Sequence, residues 1–312
     1  MDPLPLDPEL RVGFMAVAPT LHAAREVAAR AEGLGFDSVW TGDHVAFPVP
    51  ILDPFLQLSL IAAFAPGITI GTAVYLLPLR HPVPVAKQVA TLDRLCGGRF
   101  VFGVGVGGEF PGEYAACGVP VDERGARLSE AIPLLRALWS GKPAANDGPH
   151  YPIPETTLLP TPVQPGGPPV WGGGRSPAAL RRLGRMGDGW VSYVVTPDRY
   201  REGLEAIARE ADAVGRRLAR FGSGHLLFTY VADDYDTALE AATLHLSTRY
   251  AMDFRGPARK YAALGRPSDV AERIDAFRRA GLRHLIVDVV GRPEETPEQL
   301  ERFSREVRPL LG

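Results

Sequence analysis

The strongest constraint on the fold is a rhythm: short apolar runs alternate with amphipathic helical patterns along most of the chain. "RVGFMAV" (11–17) has the composition of a buried strand, and a helix follows on Leu21, Ala24, Val27, Ala28, Ala31 and Leu34, closed by Gly35. "FDSVWTG" (36–42) is a second strand, with a helix over 54–64, and "ITIGTAVYLLP" (68–78) a third, with a helix from Pro82 to Leu95. "RFVFGVG" (99–105) is the fourth; its helix resumes near Asp122 and carries Leu128, Ala131, Ile132, Leu135, Leu138 and Trp139. Residues 140–169, rich in Pro and Gly, break the rhythm as an excursion with a small hairpin around 151–159. Strands then return at 169–173, 189–194, 225–232 and 284–290. Their helices run over Ser176–Met186, Pro197–Gly215, Asp234 to about Leu264 with Pro267–Ala280, and a last one opening on a capping box, Thr296-Pro297-Glu298-Gln299. Strict βα alternation implies a parallel sheet, and eight units in 312 residues favour a closed (β/α)8 barrel. No linker divides the chain, so residues 1–312 read as one domain, an α/β TIM barrel with an excursion around 140–169.

Charge and composition narrow the function by exclusion. A net charge of −2 without a basic run gives no footprint for nucleic acid. The apolar window "ILDPFLQLSLIAAFAPGI" is cut by Pro54 and Pro66 and carries Asp53, so no membrane span is expected. The start "MDPLPLDPELR" is unlike a signal peptide, and two cysteines, Cys96 and Cys117, are too few for a disulfide framework or a zinc cluster. A cytoplasmic location with reduced thiols is the expectation. No H-E-x-x-H, paired-carboxylate or G-x-S-x-G pattern points to a metal or to a hydrolase.

Gly103, Gly105 and Gly108 in "FGVGVGGEF" spell G-x-G-x-x-G, the fingerprint of a dinucleotide loop. Such a loop must open straight into a helix whose N-terminus meets the pyrophosphate. Here Phe110-Pro111-Gly112 follows, the unit is the fourth rather than the first, and Asp122, Glu123 and Glu130 start a helix instead of ending a second strand. The dinucleotide assignment fails. In a barrel the same glycines lie at the active-site rim, where a missing Cβ lets backbone approach a ligand; a turn that merely fits a crowded rim explains them equally well.

Two further rim segments carry chemistry. Asp43 and His44 follow the second strand; an imidazole at a barrel mouth exchanges a proton near neutrality, and Asp43 is placed to orient it by hydrogen bonding. Gly172-Gly173-Gly174-Arg175-Ser176-Pro177 ends the fifth strand. Ser176 is an N-cap with Pro177 at the first helical position, and free N–H groups, a hydroxyl and a guanidinium there also suit a phosphate.

Taken together, "GFDSVWTGDHVAFP", "GTAVYLLPLRHPVPVAKQVATLDRLCGGRFVFGVGVGGEF", "PVWGGGRSPAALRRLGRMGDGWV" and "GRPSDVAERIDAFRRAGLRHLIV" resemble the luciferase-like flavin and deazaflavin oxidoreductases. The resemblance implies a TIM barrel, often a homodimer, with coenzyme F420 or FMN bound at the strand ends and a small organic substrate. The deazaflavin branch implies a histidine by the cofactor ring, matched by His44, and an acid in the glycine loop. Ungapped, that acid falls on Gly108, which leaves Glu109, the next residue, or Glu113 for the role. The family's non-proline cis peptide falls on Ala73-Val74, with Gly105, Val106 and Gly107 flanking the ring and Gly173, Gly174, Arg175 and Ser176 on the phosphate. Luciferases carry an arginine near Val106 that this chain lacks, which favours hydride transfer with F420 over an FMN-dependent monooxygenase using O2. Arg80 and His81 are expected to be structural.

Overall fold

A computed structural model of the chain describes residues 3–311, Glu109 excepted. Eight parallel strands close a barrel in the order β1 (Arg11–Met15), β2 (Ser38–Thr41), β3 (Thr69–Thr72), β4 (Phe100–Val104), β7 (Val170–Gly173), β8 (Gly189–Tyr193), β9 (Gly222–Val231) and β11 (His284–Val289), which returns to β1. The excursion forms an antiparallel hairpin of β5 (Ala144–Asn146) and β6 (Ile153–Thr156). Helices α1 (Leu21–Gly33), α2 (Pro54–Phe64), α3 (Pro82–Leu95), α4 (Pro111–Ala116), α5 (Arg124–Trp139), α6 (Pro177–Met186) and α7 (Pro197–Ala213) follow the first six barrel strands. Their starts are set by side-chain caps: Thr20, Asp53, Ser176 and Thr196 each accept a hydrogen bond from a first-turn N–H. Proline, whose missing N–H costs nothing at that position, opens α2, α3, α6 and α7.

Alternation along each strand sends one set of residues inward and the other out to the helices. Two tryptophans, Trp40 and Trp171, 5.6 Å apart, fill the barrel interior with Val101, Val191 and Ile286. The strands facing them carry glycine because nothing larger fits. A Cβ on Gly71 would sit 2.4 Å from Trp40, and one on Gly222 would sit 2.0 Å from Trp171. Lower in the barrel, His284 Nε2 lies 2.7 Å from Ser38 Oγ, which accepts from Trp40 Nε1. His225 points the other way, 2.7 Å from Ser192 Oγ and stacked on Phe277. Burial pushes both imidazoles down to about 3.

Three local departures from the sequence expectations stand out. The region Asp234–Leu264 is not one barrel helix. It breaks into α8 (Tyr235–Tyr250), α9 (Arg255–Tyr261) and β10 (Ala263–Gly265), which pairs with β9 outside the closed ring, before α10 (Pro267–Arg279) resumes the regular layer. This insertion owns a separate core of Ala238, Leu239, Ala242, Leu246, Phe254 and Ala258 packed on Phe228. The capping box expected at Thr296–Gln299 is displaced. The reciprocal bonds form one turn earlier, between Arg292 and Glu295, and Gln299 instead bonds both the N–H and C=O of Val231, ahead of which α11 (Thr296–Arg302) is laid down. The short α4 also begins at Pro111, sooner than the periodicity near Asp122 suggests. Among the described residues no helix is long and apolar enough to cross a membrane.

Candidate active site

The carboxyl ends of β3, β4 and β7 form a shelf with almost no side chains. Ala73–Val74 is a cis peptide, and Val74 stands out of the ladder: Ala73 N–H bonds Thr41 O at 2.9 Å, while Tyr75 N–H bonds Gly103 O at 2.8 Å. Val74 projects into the mouth between two glycines. A Cβ on Gly105 would lie 2.3 Å from its Cγ2, and one on Gly173 would lie 3.1 Å from its Cγ1. Gly105 is therefore closed to any larger residue by contact, and Gly173 admits a Cβ only if Val74 gives way by a few tenths of an ångström. Val106 and Gly107 continue the rim, where Tyr114 Oη donates to Val106 O.

His44 rises from the loop after β2 and is only partly exposed. Its Nδ1 lies 3.0 Å from Oε2 of Glu113, a carboxylate buried to 1% exposure. The other oxygen of Glu113 accepts from the backbone N–H of Val45 at 2.5 Å and of Ala46 at 3.2 Å. With Nδ1–H spent on the carboxylate, Nε2 is the nitrogen left for chemistry. Phe47 stacks on the imidazole at 3.9 Å and Phe110 packs edge-on against Phe47.

Asp43 does not orient His44. Its carboxylate, fully buried, accepts from Leu76 N–H at 2.8 Å and takes the guanidinium of Arg80 on both oxygens. Neighbouring residues in an irregular loop point to different sides, and Asp43 points to the turn after β3, where Leu76 and Arg80 take it. Arg80 is thus structural, as its position suggested. So is His81, whose Nδ1 accepts from Val83 N–H at the start of α3. Glu109, the first-choice acid, lies outside the described residues.

Across the mouth, Ser176 Oγ caps α6 by accepting from Ala179 N–H at 3.2 Å. Gly174, at φ +98°, turns the chain so that its carbonyl accepts from Trp190 Nε1 at 2.8 Å. Arg175 and Ser176 are exposed, and the Arg175 guanidinium lies over the Tyr193 ring at 5.2 Å. A capped helix start, a left-handed glycine and an exposed guanidinium are groups that could hold an anion, through N–H donors and the helix dipole.

Residues 7–307 match the family described as luciferase-like monooxygenase. The chain belongs to that family. Among its luciferase-like relatives, the F420-dependent glucose-6-phosphate dehydrogenase of Kineococcus radiotolerans is 28% identical, with 97% of each chain covered. An F420-dependent secondary alcohol dehydrogenase, solved with an F420-acetone adduct, superimposes with a TM-score of 0.84 at 21% identity, covering 97% of this chain and 99% of that one. The oxygenating constituent of a Pseudomonas putida 3,6-diketocamphane monooxygenase, solved with FMN, gives 0.75 at 19% identity, over 96% and 98%. At those identities the two structures share the fold. Deazaflavin and flavin enzymes thus both stand among the luciferase-like neighbours.

The luciferase-like shelf suits a flat ring: Ala73, Gly105 and Gly173 leave a strip of bare backbone, and Val74 supplies a single apolar prop beneath it. Sequence reasoning found the shelf, His44 and the α6 start. It left Glu113 as one of two acids with no partner, because a contact spanning 69 residues leaves no local pattern.

Proposed function

We propose that this chain is an oxidoreductase that uses coenzyme F420 to exchange a hydride with a small organic substrate. The observation that carries the proposal is the His44–Glu113 pair standing at the rim beside the glycine shelf. The 28% identity over 97% of both chains to an F420-dependent dehydrogenase supports it. Ala73, Val74, Gly105, Val106, Gly107 and Gly173 would hold the deazaflavin, with Gly174, Arg175 and Ser176 on its phosphate. When bound, the deazaflavin supplies or accepts the hydride.

The protein's own residues do the rest. Glu113 keeps a proton on Nδ1 of His44, which leaves Nε2 to accept or return the proton of a substrate hydroxyl. Phe47 and Phe110 restrict the imidazole and exclude water from its face.

Titrating the purified protein with F420 and separately with FMN, followed by fluorescence, tests the proposal. F420 is expected to bind in the micromolar range and more tightly than FMN. Micromolar binding of FMN with no detectable binding of F420 would replace it with the flavin monooxygenase alternative.

A further inference from the structure

The barrel mouth has a second half, facing the shelf, built from β8, β9, β11 and the insertion. Phe228 and Asp288 are register partners on β9 and β11, and each lies two residues beyond an inward-facing residue, Leu226 and Ile286. Both therefore point inward at the carboxyl end. The last turn of α8 is laid across them. Arg249 Nη1 meets Asp288 Oδ2 at 2.7 Å, and Nη2 meets His245 Nε2 at 2.8 Å. His245 Nδ1 in turn donates to Gly291 O at 2.5 Å. Both imidazole nitrogens thus have fixed roles, donor at Nδ1 and acceptor at Nε2, so His245 stands neutral beside the guanidinium. Burial and Arg249 both lower its proton affinity.

We infer that this half of the mouth receives an uncharged alcohol or carbonyl compound with an apolar body, and rejects phosphorylated or carboxylated ones; the inference rests on the F420 assignment. An anionic substrate needs a cation to replace its lost hydration. Arg249 is already neutralised by Asp288, whose carboxylate would repel the incoming anion from the same spot. Arg80 is likewise closed by both oxygens of Asp43, and Arg175, over Tyr193, is taken by the cofactor's phosphate in the assignment on which the inference rests. What the wall offers is aromatic surface: the half-buried rings of Tyr193 and Tyr250 above the buried Phe228 on one side, and Phe47 beside His44 on the other. The glucose-6-phosphate dehydrogenase relative acts on a phosphorylated sugar by its name; this chain's paired arginine argues for a different substrate class.

The test uses the full chain loaded with F420, with cyclohexanol and glucose 6-phosphate as substrates and inorganic phosphate as a competing anion. Cyclohexanol turnover is expected, with kcat/KM at least tenfold above that for glucose 6-phosphate and no competition by millimolar phosphate. Asp288→Asn exposes the charge of Arg249 and is expected to strengthen phosphate binding, read by calorimetry on the same preparation, at least tenfold over wild type. A wild-type preference for glucose 6-phosphate, or unchanged phosphate affinity in folded Asp288→Asn, overturns the inference. If Asp288→Asn does not fold, the doubly neutral Arg249→Met/Asp288→Leu takes its place: retained preference for cyclohexanol supports the inference, and a switch to glucose 6-phosphate overturns it. Failure of the cofactor assignment is seen separately, as absent F420 binding in fluorescence. The phosphate titrations of wild type and Asp288→Asn, both carrying Arg175→Ala so that the start of α6 does not take the phosphate, then decide the character of the wall on the cofactor-free chain.

Discussion

Glu113 holds three groups at once, the His44 ring and the N–H groups of Val45 and Ala46, so it fixes both the ring and the loop that carries it. Replacing it with Gln keeps the shape but lets an amide NH2 face Nδ1, which favours the wrong tautomer. Glu113→Gln should lower kcat on the order of 10²-fold with little change in F420 affinity, measured by steady-state kinetics beside a fluorescence titration. Equal loss of both would make Glu113 a prop for the shelf instead. At this scale the sequence disclosed positions better than partners. His44 was legible because a barrel strand delivers its next residues to the mouth. Asp43 misled because adjacency in a sequence says nothing about the direction of a side chain in a loop, and its real partners, Leu76 and Arg80, lie more than thirty positions on.

Helix α6 joins capping and anion binding in one residue. Ser176→Ala removes the hydroxyl that holds Ala179 N–H, a loss of about 1 kcal/mol of helix stability, and any bond from that hydroxyl to a phosphate. If both roles are present, melting temperature and F420 affinity should fall together, the affinity by roughly 1–3 kcal/mol; lowered melting with full affinity would leave the cap alone. Elements with caps or long apolar periods were readable: α2 and α3 begin and end where their prolines and stripes put them. The insertion was not. The three residues of β10 are too few to show a period, and α8 is apolar on the side facing its own small core, as a barrel helix would be. The displaced capping box has a similar cause, since Gln299 serves the backbone of Val231, a tertiary demand that outweighs local pattern.

For the molecule as a whole, the two buried histidines set the acid limit. His225 and His284 stay neutral in the fold down to about pH 3, whereas the unfolded chain protonates them near 6.5. The unfolded state therefore binds more protons below 6.5, and stability, complete above that pH, is lost as the pH falls towards 3. The loss approaches about 1.4 kcal/mol per pH unit for each ring. The urea midpoint should drop steeply between pH 6.5 and 4, and His225→Leu should flatten that slope; a midpoint indifferent to pH would show that neither ring resists its proton. The same architecture has an evolutionary side. The barrel's ring of hydrogen bonds closes through β8, β9 and β11 without β10, and the segment around α8 and α9 carries its own apolar interior. A stretch of chain with its own interior is a cassette: its length and sequence can drift while the eight-stranded chassis and its glycine rim stay as they are. New specificities can then arise one wall at a time.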